Sequence, residues 1–346
     1  MLKKLTGPGL FRLFLAELVF VDHVTRFDIG GTAVYVFFCL SGYWIYKMFS
    51  GRYIHARQPY LTYAISRLWR LLPTFWLVTV VSLTVLFFLR ELGRAWSIVD
   101  HFHFLLSTAF IFGYRTLPIR PIGPAWSLDI EMQFYCLAPI LALLLMRRKM
   151  PPAILLIFTA VLSLGLLFGF HSVSVLSYLP FFAMGMAAAA TDWRPSGRFT
   201  LASIALIILG TLACLVSPWR GVLLLGSHPG PLSIYNTHAQ ILLAILAFPY
   251  AIYTTRQKGS SFDGIFADLS YIVYLLHYPF IAIPYITNGS VLHKLLFVFL
   301  TWIFVSLLSL VVWKFWDHPV NQARSRWVKS RITLPKRVPA SPTGNL

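Results

Sequence analysis

The first apolar segment of the sequence carries two residues whose types and spacing suit acid–base chemistry. Arg12 and His23 are separated by eleven positions. At about 100° per residue, this separation returns to nearly the same face of a helix, about 16 Å farther along its axis. An imidazole accepts a proton near neutral pH, and a guanidinium holds an anion. The spacing therefore predicts a cation and a buried general base on one face. The structural alternative is that Arg12 extends to the nearest aqueous surface and His23 only packs between helices.

A second pair of cations follows at Arg67 and Arg70. Residues three apart at the start of a helix point the same way, so the two guanidiniums can both donate hydrogen bonds to phosphate oxygens. A role as a positively charged membrane anchor is the competing interpretation.

A stripe of polar residues runs through the otherwise apolar segment that begins at Trp126. Ser127, Glu131 and Tyr135 are four residues apart, which puts all three on one helix face. A carboxylate within an apolar helix is either functional or paired with a base. Glu131 is therefore predicted either to orient a catalytic group or to form a structural pair with an arginine.

Two further patches complete the set of candidate residues. Ser41 and Gly42 form a small step within an apolar segment, which predicts close helix packing. Tyr274 and His277 are three apart on another apolar segment and face one way. No metal-ligand cluster, phosphate-binding glycine loop or hydrolase motif occurs in the sequence.

The elements that must position these residues are membrane helices. Of 346 residues, 58% are hydrophobic and only 12% are charged, and the mean hydropathy is +0.73. A soluble domain of this length needs more charge to cover its surface. A spanning helix needs about 20 mostly apolar residues, and about ten segments qualify. They are Leu10–Phe27, Thr32–Phe49, Leu72–Leu89, Ala125–Met146, Pro152–Phe170, Ser177–Thr191, Phe199–Ser217, Ala239–Tyr253, Leu269–Ile286 and Leu295–Phe315.

The distribution of charge predicts the topology. The formal net charge of +18 could indicate nucleic-acid binding, but Lys and Arg lie in short clusters between apolar segments and form no continuous basic face. Positive residues mark cytoplasmic loops, and most of them fall on the cytoplasmic side when both termini are placed there. We therefore predict an all-α, polytopic transmembrane bundle at residues 1–320 and a basic cytoplasmic tail at residues 321–346, with lipids as partners and no nucleic acid.

These motifs, in this order, resemble the acyltransferase-3 family of bacterial inner-membrane O-acyltransferases, over about residues 12 to 319. Arg12, ten residues and His23 are similar to the signature of its first span. The other matching motifs are Phe37-Phe38-Cys39-Leu40-Ser41-Gly42, the pair Arg67 and Arg70, Trp126-Ser127-Leu128-Asp129-Ile130-Glu131 with Phe134-Tyr135, the set Ser270, Tyr274 and His277, and Asp317-His318-Pro319.

The resemblance implies an enzyme that transfers an acyl group, typically acetyl, from cytoplasmic acyl-coenzyme A to a hydroxyl of an envelope or secreted glycan. The implied location is the bacterial inner membrane. Acyl-coenzyme A is then a co-substrate, and no cofactor or metal is permanently bound. Catalysis is expected from His23 with Arg12 and Glu131, with His23 either as general base or as a nucleophile that first takes the acyl group. Nucleotide binding is expected from Arg67 and Arg70. Substrate contacts or support are expected from Ser41, Trp126, Ser127, Tyr135, Tyr274 and His277.

Two other classes of protein fit buried polar residues. A transporter or flippase for a lipid-linked or small anionic substrate also places charges along a path, but it predicts inverted repeats, and the sequence shows none. A structural membrane protein is the other, and it would tolerate the loss of His23.

Overall fold

The computed structural model describes residues 7–88, 97–169, 174–216, 218–225, 230–281 and 290–332. The described chain is helical, and its isolated bridges belong to no strand. Its α-helices are α1 Pro8–Val24, α2 Gly30–Gly51, α3 Pro59–Phe88, α4 Ile98–Phe110, α5 Trp126–Met146, α6 Pro152–Gly169, α7 Val175–Ala190, α8 Gly197–Leu215, α9 Asn236–Thr254, α10 Asp263–Ile281, α11 Val291–Val312 and α12 His318–Arg331.

Each of the ten apolar segments predicted from the sequence coincides with a helix, although Ile286 and other segment ends lie outside the described residues. Within the described part of the chain, six helical stretches are long and apolar enough to cross a bilayer. They are Pro59–Phe88, Gly123–Met146, Gly197–Leu215, Pro231–Thr254, Asp263–Ile281 and Leu292–Arg331. Pro152–Leu166 and Val175–Ala190 are shorter apolar helices. The count of about ten spans therefore stays a prediction.

Helix α2 is central, because α1, α5, α7 and α9 all pack against it. Its crossing with α7 is close, because each helix has a glycine where the two meet. A Cβ on Gly42 would lie 2.1 Å from the carbonyl oxygen of Phe182, and a Cβ on Gly185 would lie 1.8 Å from that of Cys39. This confirms the close packing predicted from the Ser41-Gly42 step.

Helix α1 packs along α10, and the two begin at the same end of the bundle. The Asp263 carboxylate accepts hydrogen bonds from the backbone N–H groups of Gly9 and Leu10, at 3.0 and 3.1 Å. A carboxylate at this position satisfies the free donors of the first turn of α1 and complements its dipole. The pairing sets Arg12 and His23 of α1 beside the polar residues of α10.

The chain after α11 continues as a helix through a π-helical turn, Trp313–Asp317, into α12. This turn aims the Asp317 carboxylate inward, where the residue is 1% exposed. Helix α12 then packs against α3. The tail predicted to begin at residue 321 is therefore helical as far as Arg331, and residues 333–346 lie outside the described chain.

Candidate active site

A cavity of about 300 Å³ lies between α1, α2, α3, α5 and α10, with one wall from α12. Its lining follows α2 from Met48 to Val34, which is about 21 Å of helix. One end of the cavity lies where α1 and α10 begin, and the other reaches Ser127 at the start of α5. The cavity therefore runs along the bundle axis and brings together side chains that are distant in sequence.

The first end is lined by four arginines, Arg12, Arg67, Arg70 and Arg324, against two carboxylates, Glu131 and Asp268. Uncompensated charge in a partly buried cavity is costly, and a bound ligand of opposite charge relieves it. With Asp317, which pairs with Arg70 from outside the lining, the cluster has four arginines against three carboxylates, and this excess of one positive charge suits an anionic ligand such as a phosphate ester.

Arg67 and Arg70 differ in their partners, although their spacing in sequence suggests equivalent roles. The guanidinium of Arg70 donates to Asp317 at 3.1 and 3.2 Å and to Asp268 at 3.0 Å. Asp317 also accepts from Thr74 at 2.7 Å. Arg70 is thus neutralised by two carboxylates, and its first role is to hold α3, α10 and the turn before α12 together.

Arg67 has only neutral partners among the described residues. Its Nη2 donates to the Tyr53 hydroxyl at 3.2 Å and lies 3.6 Å from the sulfur of Met48. Burial acts to raise the pKa of Tyr53, but the charge of Arg67 and hydrogen bonds from Ser66 and Arg67 outweigh it, so this pKa lies below its ordinary value. The Nε atom of Arg67 is buried without a described hydrogen-bond partner. Arg67 is therefore better placed than Arg70 to bind an anion.

Arg12, which lines the cavity from α1, also has a donor that is unpaired among the described residues. Its buried Nε atom also lacks a hydrogen-bond partner within the described chain. Glu131 and Asp268 act on it through space, but neither forms a salt bridge with it in the described chain. The guanidinium therefore keeps donors available, and its extension to an outer surface is not what the structure shows.

Glu131 is held by hydroxyl groups. Its Oε1 accepts hydrogen bonds from Ser41 Oγ and, at 2.7 Å, from the Tyr135 hydroxyl. No salt bridge to an arginine and no hydrogen bond to His23 is found for Glu131 within the described residues. Neither predicted partner of Glu131, a catalytic histidine or an arginine, is hydrogen-bonded to it among the described residues, so its catalytic role stays a prediction.

The inner end of the cavity is closed by a buried pair of hydroxyl groups. Ser127 Oγ and Tyr274 Oη are 2.7 Å apart, and both lie within hydrogen-bond distance of the carbonyl oxygen of Pro124. Beyond them, the ring of His277 lies 6.5 Å from that of Tyr274 and 5.2 Å from that of His23. The rings of Tyr274, His277 and His23 therefore follow one another in this order from the cavity outward.

Hydrogen bonds determine which nitrogen of each histidine carries a proton. Nδ1 of His23 lies 2.7 Å from the carbonyl oxygen of Val19, and Nδ1 of His277 lies 2.9 Å from that of Val273. A carbonyl oxygen can only accept, so both Nδ1 atoms are donors. His277 Nε2 is then an acceptor, and it lies 3.4 Å from His23 Nδ1. In the neutral imidazole of His23, a proton on Nδ1 leaves Nε2 as the acceptor nitrogen, which is the atom that a general base uses.

The predicted burial of His23 is wrong. Its side chain is exposed on the protein surface, because α1 ends one residue later at Val24. Its neighbour His277 is fully buried. The cation-lined end of the cavity and His23 therefore lie toward opposite ends of α1.

Two comparisons with known proteins give a match. A family profile described as acyltransferase domain matches residues 5–321. The chain belongs to the acyltransferase-3 family. The family and the apolar helices make it a multi-pass membrane protein. It is similar to O-acetyltransferase OatA of Staphylococcus aureus strains NCTC 8325 / PS 47 and COL, with 28% identity over 183 residues. The similar region is 48% of this chain and 30% of each relative, so it covers less than a third of their length. No solved structure gives a significant match.

In this acyltransferase-3 chain, most of the predicted site residues share one cavity. Those in its lining are Arg12, Ser41, Arg67, Arg70, Ser127, Glu131, Tyr135 and Tyr274. His23 and His277 lie just beyond the inner end. Trp126 packs instead on Tyr178, with ring centroids 5.6 Å apart. No group of three residues suited to hold a metal ion occurs in the described part of the chain.

Four residues of the site were absent from the sequence prediction of site residues. Tyr53, Asp268, Asp317 and Arg324 contact or line the arginine cluster. Of these four, only Asp317 was part of a motif recognised in the sequence, Asp317-His318-Pro319. The other three sit in polar stretches between or after apolar segments, where position along the chain does not indicate which side chains face inward.

Proposed function

We propose that this protein is an O-acyltransferase that moves an acyl group, typically acetyl, from cytoplasmic acyl-coenzyme A to a hydroxyl of an envelope or secreted glycan. The observation that carries the proposal is one cavity with an arginine-rich end and an inner end at Tyr274, from which the ring of His277 leads to the ring of His23. Nucleotide phosphates suit the first end, and acyl transfer to a hydroxyl needs the base at the second.

In the proposed reaction, Arg67 and Arg12 bind the anionic part of the donor while Arg70 maintains the wall of the cavity. The uncharged arm carrying the thioester extends along α2, and the reaction requires its acyl carbonyl to pass Ser127 and Tyr274 and to reach the acceptor hydroxyl beside His23. His23 Nε2 takes the proton from the acceptor hydroxyl, and the hydroxyl oxygen attacks the thioester carbonyl carbon. The C–S bond breaks, and the proton passes from the imidazolium to the departing thiolate. Ester and free thiol are the products.

The Ser127 and Tyr274 hydroxyls are buried at the inner end of the cavity, where they bond to each other and to the Pro124 carbonyl oxygen and form the wall that the acyl group passes. The Val19 carbonyl oxygen accepts from His23 Nδ1 at 2.7 Å and His277 Nε2 lies 3.4 Å from the same atom, so both contacts favour the tautomer with the proton on Nδ1. Ser41 and Tyr135 hold Glu131, whose charge balances part of the arginine cluster.

We further propose about ten spans with both termini in the cytoplasm of a bacterial cell, and the inner membrane as the location. Two features support this orientation: the basic α12 lies at the arginine-rich end of the cavity, and positive residues favour the cytoplasm. On this proposal, the basic segment from Asn321 to Leu346 is cytoplasmic and His23 faces the other side, where glycan acceptors occur. Labelling of single cysteines introduced at Arg326 and at Thr25, both exposed, tests it with an impermeant reagent. Labelling of both from one side would contradict it.

Acyl transfer tests the proposed reaction. Membranes holding the wild-type protein, His23→Ala or the control His238→Ala would receive labelled acetyl-coenzyme A and an extract of envelope glycan. His238 is an exposed histidine at the start of α9. Loss of a general base is expected to lower transfer by about 100-fold or more in His23→Ala, with the control unchanged. Equal transfer by both variants would contradict the role of His23. Absence of donor use by the wild type would favour a transporter.

A further inference from the structure

Helix α12 contributes a residue to the cavity from beyond the segment that the family profile matches. That match ends at residue 321, and Arg324 lies one helical turn later. Its guanidinium nevertheless lines the same cavity as Arg12 and Arg67. The cavity in this chain is thus completed by a residue outside the matched domain.

The position of α12 is fixed by contacts along its length. Val328 is fully buried, and the rings of Trp69 and Trp327 lie 5.9 Å apart. Beyond these, the carbonyl oxygen of Arg331 accepts from the backbone N–H of Arg57 at 3.1 Å. At the other end, Asn321 donates to the buried Asp317 carboxylate at 2.7 Å, so both ends of the helix are held and the fold directs Arg324 into the cavity.

Arg324 and Arg67 are joined through two neutral hydroxyl groups. Arg324 Nη1 donates to Ser66 Oγ at 3.0 Å, and Arg67 Nη2 donates to Tyr53 Oη at 3.2 Å. The two hydroxyl oxygens are 2.8 Å apart. This arrangement holds two guanidiniums on either side of one hydroxyl pair, so both can direct further N–H donors to a single anion.

The charges around Arg324 indicate what it binds. Arg67, Arg70 and Arg52 are close enough to repel its guanidinium. The carboxylates that pair with this cluster, Asp268 and Asp317, are both taken by Arg70. Within the described residues, Arg324 has no carboxylate partner, and its other hydrogen bond goes to the neutral Asn321 at 3.2 Å. A cation held among like charges is stabilised by an added anion.

We propose that Arg324 is a phosphate-binding residue of the donor site, so that α12 and the membrane bundle together hold the nucleotide of acyl-coenzyme A. This rests on the proposed function for the identity of the donor. A phosphate ester is the chemistry that the paired guanidiniums of Arg324 and Arg67 recognise, and an anionic lipid headgroup carries the same group.

Binding of adenosine 3′,5′-bisphosphate to the full-length protein in nanodiscs of phosphatidylcholine tests the proposal without depending on catalysis. Arg324→Ala is expected to weaken binding about tenfold or more, the loss typical of a charge-assisted hydrogen bond. Arg326→Ala removes the same charge from an exposed position on the same helix and is expected to bind as the wild type does. Arg324→Lys keeps the positive charge but loses the bidentate donor geometry of the guanidinium, so its affinity for the bisphosphate should lie between those of Arg324→Ala and the wild type. Unfolding temperatures of all variants distinguish loss of contact from loss of fold.

Two further arms separate the alternatives. The KM for acetyl-coenzyme A should rise in Arg324→Ala, while the KM for S-acetylpantetheine, which has no phosphate, should not change. Nanodiscs with phosphatidylglycerol should not reduce nucleotide binding; competition by this lipid would assign the site to a headgroup and overturn the proposal. Equal bisphosphate affinity in Arg324→Ala and Arg326→Ala would also overturn it. If the wild type binds the bisphosphate through Arg324 but transfers no acetyl group, the proposed function fails and the phosphate site stands.

Discussion

Arg67 and Arg70 lie three residues apart on one helix face, but their environments predict opposite consequences of substitution. Asp317 is 1% exposed and is paired with Arg70 at 3.1 Å. Replacement of Arg70 by Ala would leave this carboxylate buried beside only neutral donors. Removing one partner of a buried ion pair costs about 3–5 kcal/mol, so Arg70→Ala should lower the free energy of unfolding by an amount of that order.

Arg67→Ala leaves no buried carboxylate unpaired. Its hydrogen bond to the neutral Tyr53 hydroxyl contributes about 1 kcal/mol to stability, and the variant should therefore stay folded. The main loss should be in donor binding, where one charge-assisted contact corresponds to about a tenfold higher KM for acetyl-coenzyme A.

The assay is a paired measurement on each variant in detergent: thermal unfolding, and initial rates against donor concentration. The double variant Arg70→Ala with Asp317→Ala should regain part of the lost stability, since the unpaired charge is gone. If Arg67→Ala and Arg70→Ala lower the unfolding temperature equally and raise KM equally, the two arginines have equivalent roles. That result would contradict a structural role for Arg70 and a donor-binding role for Arg67.

Three further predictions concern other parts of the molecule. His277→Ala should lower kcat about tenfold with little change in donor KM, since His23 keeps its bond to a backbone carbonyl; a change in KM alone would contradict this. Gly185→Leu should prevent folding, as judged by detergent-stable yield, because its side chain would meet α2 backbone. Burial and the neighbouring Asp22 raise the pKa of Asp28, in the loop before α2, to about 6. The folded state then binds more protons than the unfolded state from about pH 4 to 6, so stability falls as pH rises through that range. Asp28→Asn should reduce this pH dependence of the unfolding temperature, and an unchanged profile would exclude Asp28 as its source.

Much of the fold was predictable because the bilayer imposes a length on apolar segments. The predicted segments are helices for this reason, and the Ser41-Gly42 step does mark a close crossing. The face shared by Ser127, Glu131 and Tyr135 also follows from helical periodicity, and all three line the cavity. Which residues share a face of one helix depends only on their spacing, so it can be predicted from the sequence.

The partners of these residues were not predictable, because they depend on contacts between distant helices. Spacing alone makes Arg67 and Arg70 equivalent, but Asp317, almost 250 residues later, distinguishes them. His23 was expected to be buried since it lies in an apolar segment, but α1 ends at the next residue. Arg324 lies in a polar stretch with the composition of a disordered tail. Only the structure shows that this stretch is a helix packed on α3.

We propose that the donor enters at the arginine-rich end of the cavity and that the acceptor reaches His23 from the opposite side of the bundle. Proteoliposomes with a single, verified orientation test this most directly. Labelled acetyl-coenzyme A is supplied only on the side of α12, and envelope glycan only on the opposite side. The expected result is labelled glycan, at a rate about 100-fold lower in His23→Ala, and none when donor and acceptor exchange sides. Labelled glycan formed only when both substrates share one side would contradict the claim.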